Sequence, residues 1–196
     1  MPRSSTPDPS APLRRVALYG GSFDPPHLGH VLAATWALAL GRFDEVRLVP
    51  ARGHAFGKAL TPFDLRCALV DAAIAHLAPR VRVDPLEGDL PTPSYTIDTV
   101  RALAAREPGV AWTWVLGADA WADRRRWRAW DELERTVGWL VLGRAGAAPP
   151  LDVSPEVTLP EVSSTAARHA IASGQPVWHL LPPAVEALVA AHGLYR

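Results

Sequence analysis

Two histidines three residues apart, His27 and His30, stand in the stretch of this chain whose residue types are best suited to chemistry. They end a glycine-containing run, residues 20–30, that follows one apolar segment and precedes another with helical periodicity. A turn between a strand and a helix aims backbone N–H groups and the positive end of the helix dipole at one point. Both imidazoles share one face of the helix start, because residues three apart are neighbours on a helix. Such donors suit a polyphosphate whose negative charge grows during a reaction.

A second group of phosphate-binding residue types follows Val162 near the carboxyl end of the chain. Ser163, Ser164 and Thr165 stand at a predicted helix start, where hydroxyls and backbone N–H groups can face an anion. Arg168 follows one helical turn later and can reach the same anion with its forked guanidinium. Ordinary N-capping by the three hydroxyl residues is the alternative interpretation.

Alternating strands and helices must position these groups. Strands are predicted at residues 16–19, 46–49, 81–83, 112–116 and 139–142, and helices at residues 28–40, 61–76, 94–105, from 163 and at 182–191. Thr61 and Ser94 are predicted as the N-caps of the second and third helices. The repeated strand-then-helix spacing predicts an α/β fold, a single doubly wound parallel sheet of Rossmann-like type.

Four motifs follow predicted strands, after Tyr19, Val49, Leu116 and Leu142. Right-handed crossovers bring the carboxyl ends of parallel strands to one edge of the sheet, and ligands bind beside those ends. The sequence therefore predicts that the four motifs converge on one site.

Composition restricts the class of protein. The chain has 196 residues, 48% of them apolar, and a formal net charge of zero, which argues against a general nucleic-acid binder. A single cysteine, Cys67, excludes an intramolecular disulfide, and no apolar run reaches the roughly 18 residues of a membrane span. Residues 1–12 are rich in Pro and Ser and are expected to form a disordered tail, with one domain at residues 13–196. A cytoplasmic location is expected by default.

The run GGSFDPPHLGH resembles the signature of the HxGH nucleotidyltransferases, which transfer a nucleotide from a nucleoside triphosphate to a phosphate-bearing acceptor. The run VSSTAAR resembles the second signature of that family. The resemblance implies that His27 and His30 contact the triphosphate and stabilise the transition state, and that Ser22 also faces the acceptor phosphate. The ATP-binding residues that it implies in these two runs are Gly20, Gly21, Ser22, Phe23, His27, His30, Ser163, Ser164, Thr165 and Arg168.

Two shorter motifs, PSYT at residues 93–96 and GAD at 117–119, resemble elements of the nicotinate-mononucleotide adenylyltransferases. The resemblance implies that Tyr95 and Thr96 bind the nicotinate carboxylate, and that Gly117 and Asp119 bind the ATP ribose. Trp127 follows where that family carries a Trp stacked on the pyridine ring. A packing role for Trp127 is the alternative interpretation.

Two segments depart from that family's pattern. Arg144 matches the Arg of an Arg-Pro-Gly element but is followed by Ala145, and it is predicted to bind the acceptor phosphate. After the second strand the family carries Pro-Pro-His-Lys, whereas this chain has His54 and Lys58 at a different spacing. Lys58 is predicted as a catalytic, phosphate-binding residue on a longer loop. The alternatives are that His54 replaces that element, or that both are solvated loop residues.

The implied reaction is adenylyl transfer from ATP to nicotinate mononucleotide, which gives deamido-NAD and pyrophosphate. Mg²⁺ is expected on the ATP phosphates, with no metal site made by the protein. One alternative keeps the chemistry and changes the acceptor to nicotinamide mononucleotide or phosphopantetheine. Another, of a different class, is a nucleotide-binding regulator without catalysis. Partners other than these small molecules, such as nucleic acid or membrane, are not expected.

Overall fold

The computed structural model describes residues 13–53, 59–146, 152, 153, 155 and 157–196. In them a six-stranded sheet has the order β3-β2-β1-β4-β5-β6, with every neighbouring pair parallel. The strands are Arg14–Gly21 (β1), Glu45–Pro50 (β2), Val81–Val83 (β3), Val110–Gly117 (β4), Gly138–Arg144 (β5) and Thr158–Leu159 (β6). The strand order reverses between β1 and β4, which is where doubly wound sheets bind ligands.

Helices cover both faces of this sheet. They are Leu28–Ala39 (α1), Phe63–Ile74 (α2), Thr96–Arg106 (α3), Ala118–Ala122 (α4), Trp130–Thr136 (α5), Ser164–Ala172 (α6) and Pro183–Ala191 (α7). The longest of these, α1 and α2, have 12 residues each. In the parts of the chain that the structure describes, no helix combines the length and apolar character needed to cross a membrane.

Two apolar clusters, one on each face, form the core. Successive side chains of a strand point to opposite faces, so Ala17 contributes to one cluster while Val16 and Leu18 contribute to the other. Helices α1, α2, α6 and α7 pack on the first face, and α3, α4 and α5 pack on the second. The predicted doubly wound α/β fold is therefore confirmed.

Both predicted N-caps are wrong. Helix α2 begins after Pro62 and α3 begins after Tyr95, each one residue later than expected. The hydroxyls of Thr61 and Ser94 are engaged in tertiary contacts instead: Thr61 Oγ1 donates to Tyr195 Oη at 3.2 Å, and Ser94 Oγ donates to Glu87 Oε2 at 2.7 Å. A hydroxyl held by a distant residue is not available to cap its own helix.

Strand β6 and helices α4 and α5 have no counterpart among the predicted elements. Helix α4 has five residues and β6 has two, and elements this short show no recognisable periodicity of apolar residues in the sequence. The predicted tail at residues 1–12 lies outside the described residues, as do residues 147–151 and 154 of the predicted loop at 146–155.

Candidate active site

The turn after β1 is tightly packed. A methyl group on Gly20 would lie 2.5 Å from Cζ2 of Trp114 on the neighbouring strand, so only glycine fits there without a shift. Phe23 is 1% exposed and adopts a positive φ of 49°, a conformation uncommon for a residue with a side chain. Burial of the Phe23 ring compensates for that backbone cost and fixes the path of the turn into α1.

His27 and His30 stand at the start of α1, as predicted. His27 is the N-cap residue and is 5% exposed. Its backbone N–H donates to Nδ1 of His30 at 3.0 Å, and the two rings stack with their centroids 3.6 Å apart and their planes at 25°. Since Nδ1 of His30 accepts this bond, a neutral His30 carries its proton on Nε2. His30 is thereby prepared as a hydrogen-bond donor.

Both histidines are neutral at pH 7. Burial, followed by the charge of Arg144, lowers the pKa of His27 to about 4. Burial, then His27 and Arg144, lowers the pKa of His30 well below its usual 6.5. Nδ1 of His27 is buried without a hydrogen-bond partner among the described residues, so it is available to bond a ligand in the pocket that His27 lines.

A pocket at the carboxyl edge of the sheet joins several of the predicted motifs. Arg144, at the end of β5, lies with its guanidinium 3.9 Å from the carboxylate of Asp119. The residues that line the pocket are Tyr19, His27, Gly29, Gly117, Leu142, Gly143, Arg144, Leu159, Pro160 and Val162. Three of the four motifs predicted to converge, those after Tyr19, Leu116 and Leu142, therefore meet at this pocket, together with Val162 at the start of the VSSTAAR run. The described residues that follow Val49, residues 50–53, do not line it.

Helix α6 docks directly on the turn after β1. Ser163 caps α6 by accepting the N–H of Ala166 at 3.1 Å. Ser164 Oγ donates to the carbonyl of Pro25 at 2.8 Å, and Arg168 donates to the carbonyl of Asp24 at 2.5 Å. The sequence predicted phosphate contacts for these residues and did not predict that they hold the turn.

Tyr95 is the N-cap residue of α3 and Thr96 is its first residue. Asp98 accepts the Tyr95 N–H at 3.1 Å, and the Arg128 guanidinium lies 5.1 Å from the centre of the Tyr95 ring. Trp127, next to Arg128, is half-buried, so its ring is partly accessible. It packs edge-on against two neighbouring tryptophans, Trp130 and Trp139, at 6.5 and 6.3 Å. The packing interpretation of Trp127 thus holds at least in part.

Sequence reasoning missed Arg66, which is fully buried on α2. Its guanidinium donates to three carbonyls, those of Thr61 at 2.8 Å, Ser22 at 2.8 Å and Arg52 at 3.1 Å. The sequence did contain an indication that Arg66 is buried, because it lies three and four residues before Leu69 and Val70, on the same apolar face of α2. A charged residue in the apolar stripe of a helix needs specific partners.

Glu87 was also missed. This buried carboxylate accepts Ser94 Oγ at 2.7 Å, Thr99 Oγ1 at 2.8 Å and the backbone N–H of Arg52 at 3.1 Å. No periodic pattern points to it, since Glu87 lies in a short 3₁₀ turn between β3 and α3.

His54 and Lys58 lie outside the described residues. Within the described ranges, no three His, Cys, Asp or Glu side chains are grouped so that they could hold a metal ion.

Comparison with known proteins adds to this geometry. Residues 18–170 match the model of the Cytidylyltransferase-like family. A protein of Myxococcus xanthus, described as a probable nicotinate-nucleotide adenylyltransferase, is 38% identical over 184 residues, which cover 94% of this chain and 96% of the relative. A protein of Thermus thermophilus with the same description is 37% identical over 187 residues, or 93% and 100% of the two chains.

The fold is also shared with a solved structure. Plasmodium falciparum nicotinic acid mononucleotide adenylyltransferase, complexed with NaAD, aligns with a TM-score of 0.80 at 19% identity and covers 93% of this chain and 97% of its own. At that identity the likeness shows the fold alone, whereas the bacterial relatives are similar in sequence over nearly their whole length. The chain therefore belongs to the nicotinate-nucleotide adenylyltransferase family, within the cytidylyltransferase-like group.

Proposed function

We propose that this chain transfers the adenylyl group of ATP to nicotinate mononucleotide, giving deamido-NAD and pyrophosphate. Membership of the family supports the reaction. The observation that carries the proposal is the stacked pair of neutral histidines, His27 and His30, at the start of α1, with a buried Nδ1 that lacks a partner among the described residues. A triphosphate in the pocket beside them would supply the acceptor oxygens that this arrangement lacks.

The chemistry needs no covalent enzyme intermediate. An oxygen of the acceptor's 5′-phosphate forms a bond to the α-phosphorus, the bond from that phosphorus to the bridging oxygen breaks, and pyrophosphate leaves with the electron pair. Negative charge grows on the transferring and leaving phosphoryl oxygens, so catalysis consists of positioning and charge stabilisation. The Nε2–H of His30 is a donor available for that charge, and nearby phosphate raises the pKa of both histidines towards protonation.

The ATP side of the proposed site uses both signatures. Gly20, Gly21, Ser22 and Phe23 form the turn, and Ser163, Ser164, Thr165 and Arg168 lie beside it. Asp119 after β4, with Gly117, is proposed to accept hydrogen bonds from the ribose hydroxyls, which an ionised carboxylate can do. Lys58 remains a proposed phosphate-binding residue.

The acceptor side is proposed to comprise Ser22, Tyr95, Thr96, Trp127 and Arg144. Arg144 lies in the same pocket as His27, where its charge would favour a phosphate bound next to the reacting phosphorus. The accessible part of the Trp127 ring would stack on the pyridine, and a carboxylated ring suits the positive charge of Arg128 near Tyr95.

Mg²⁺ is proposed to enter with ATP, as part of the substrate. The described residues offer no group of carboxylates and histidines for it, so phosphate oxygens and waters would be its ligands. A cytoplasmic location is part of the same proposal, as the compartment where ATP is abundant.

Pyrophosphate release from Mg·ATP tests the proposal, with nicotinate mononucleotide, nicotinamide mononucleotide and phosphopantetheine as separate acceptors. Strong turnover with nicotinate mononucleotide is expected, and deamido-NAD should appear in equal amount. Turnover only with another acceptor would keep the chemistry and overturn the substrate. ATP binding without turnover for any acceptor would favour the regulator.

A further inference from the structure

Arg66 is one of two arginines that are completely buried among the described residues, and its surroundings differ from those of the other. Arg47, also 0% exposed, hydrogen-bonds three carboxylates, those of Glu45, Asp84 and Glu107. The side-chain partners of Arg66 are three main-chain carbonyls. Burial outweighs the nearby Asp24 and lowers the pKa of Arg66 from its usual value. Among the described residues no carboxylate hydrogen-bonds Arg66, and the three carbonyls are what its guanidinium holds.

The three carbonyls belong to two connections at the carboxyl edge of the sheet. Ser22 lies in the turn after β1, Arg52 follows β2, and Thr61 precedes α2. One planar guanidinium therefore joins both ends of the β2–α2 connection to the turn that leads into His27. A forked, rigid donor can satisfy three acceptors in fixed directions, which a flexible ammonium cannot.

Glu87 continues the connection towards α3. Its carboxylate accepts the backbone N–H of Arg52. It also accepts the hydroxyls of Ser94 and Thr99, which lie on either side of Tyr95 and Thr96 in the sequence. The Arg52 side chain also donates to the carbonyl of Gly88, one residue after Glu87. A continuous series of bonds thus runs from Ser22 to the start of α3.

We infer that Arg66 and Glu87 form an acceptor brace, a pair of positioning residues that sets the distance between Ser22 and the Tyr95–Thr96 segment. The inference rests on the proposed function, in which these two segments hold opposite ends of nicotinate mononucleotide. Ser22 is proposed to contact both substrates, but the rest of the turn has other supports, because Ser164 and Arg168 bind the carbonyls of Pro25 and Asp24. Loss of the brace should therefore weaken the acceptor more than ATP.

The test compares Arg66→Lys with Arg47→Lys, the same change at the other fully buried arginine of the described residues. Arg47 lies in a cluster of carboxylates that joins β2 to the carboxyl end of α3. Both variants should lower the melting temperature. Only Arg66→Lys should raise the KM for nicotinate mononucleotide, by about tenfold, while the KM for ATP stays within about twofold. Glu87→Gln, which keeps the side-chain volume, should move the same constant in the same direction.

The inference would be overturned if Arg66→Lys raised the KM for ATP as much as the KM for nicotinate mononucleotide. It would also be overturned if Arg47→Lys raised the KM for nicotinate mononucleotide as much as Arg66→Lys does. If Arg66→Lys does not fold, Glu87→Gln decides, and an unchanged acceptor KM in that variant refutes the brace. Wild-type protein that fails to use nicotinate mononucleotide would instead refute the proposed function. The two failures are therefore distinguishable in one set of assays.

Discussion

The hydroxyl of Tyr195 donates a 2.6 Å hydrogen bond to Oδ1 of Asp24, which joins the penultimate residue of the chain to the turn after its first strand. Thr61 Oγ1 donates to the same Tyr195 oxygen at 3.2 Å. Asp24 is 4% exposed, and burial together with this bond raises the pKa of Tyr195 above its usual value. Tyr195 therefore supports the turn that leads into His27.

Tyr195→Phe removes the donor and leaves a buried carboxylate with one partner fewer. The free energy of unfolding should fall by about 1–3 kcal/mol, the usual penalty for leaving a buried charged group under-satisfied. Urea unfolding of the two proteins measures this, and the dependence on denaturant should be unchanged. An equal midpoint for variant and wild type would show that the bond contributes nothing.

His30→Ala should lower kcat by a factor on the order of 10² or more, because it removes one transition-state donor. His27→Ala should act in the same direction through loss of the stacked partner. His76→Ala is the matched control, since His76 is exposed in the 3₁₀ turn after α2, and its kcat should equal that of wild type. An unchanged kcat in His30→Ala would contradict the proposed role.

Protonation of His27 should occur near pH 4 in the ligand-free protein, since its pKa is lowered from 6.5 to about 4. The unfolded chain then binds this proton at a higher pH than the folded one, so the contribution to stability is present above pH 6.5 and is lost as pH falls towards 4. NMR titration of the ring protons measures the midpoint directly. ATP should move it upwards, and a midpoint near 6.5 without ligand would contradict the burial argument.

The carboxylates around Arg47 should cause a second decrease in the free energy of unfolding, at a more acidic pH. Hydrogen bonding to Arg47 lowers the pKa of Glu107 from 4.5 to about 2. Its stabilising contribution is therefore complete above pH 4.5 and is lost as pH falls towards 2. Unfolding free energies measured across that range should fall less steeply in Glu107→Gln than in wild type. Parallel curves would show that this pair is not linked to acid stability.

Gly20→Ala should destabilise the fold by about 1–3 kcal/mol, the usual result of adding a methyl group to a packed core. The added Cβ would lie 2.5 Å from Trp114, a side chain that is 5% exposed. Gly53→Ala is the control, because its nearest neighbour is Thr92 at an ordinary 3.5 Å. Thermal unfolding distinguishes them, and equal melting temperatures would mean that Trp114 moves aside freely.

The features that sequence predicts well are those encoded locally. Strand β5 contains a short apolar run at residues 139–142, and the turn from Gly20 to His30 carries its glycines, its helix start and its histidines in one continuous segment. Ser163 was correctly placed at the start of α6 because its cap is made within the helix itself. In each of these, the determining contacts lie within a few residues of one another.

The features that sequence missed depend on distant partners. Thr61 is a sensible N-cap by type, but its hydroxyl is bound by Tyr195, 134 positions later in the chain. Arg66 bonds the carbonyl of Ser22, 44 positions earlier, in a segment that comes next to it only after β1 and β2 have paired. Glu87 likewise accepts a hydrogen bond from the backbone N–H of Arg52, 35 positions earlier. Propensity and periodicity carry no information about such pairings.

The central place of β1 in the sheet has a consequence for synthesis on the ribosome. Of the six described strands β1 is translated first, and it pairs with β2 on one side and β4 on the other. The edge of β1 that pairs with β4 therefore has no partner strand while β2 to α3 are translated. It can pair only after Val110–Gly117 has left the exit tunnel. Incomplete chains thus expose the unpaired backbone edge of an apolar strand, a surface of the kind that chaperones protect.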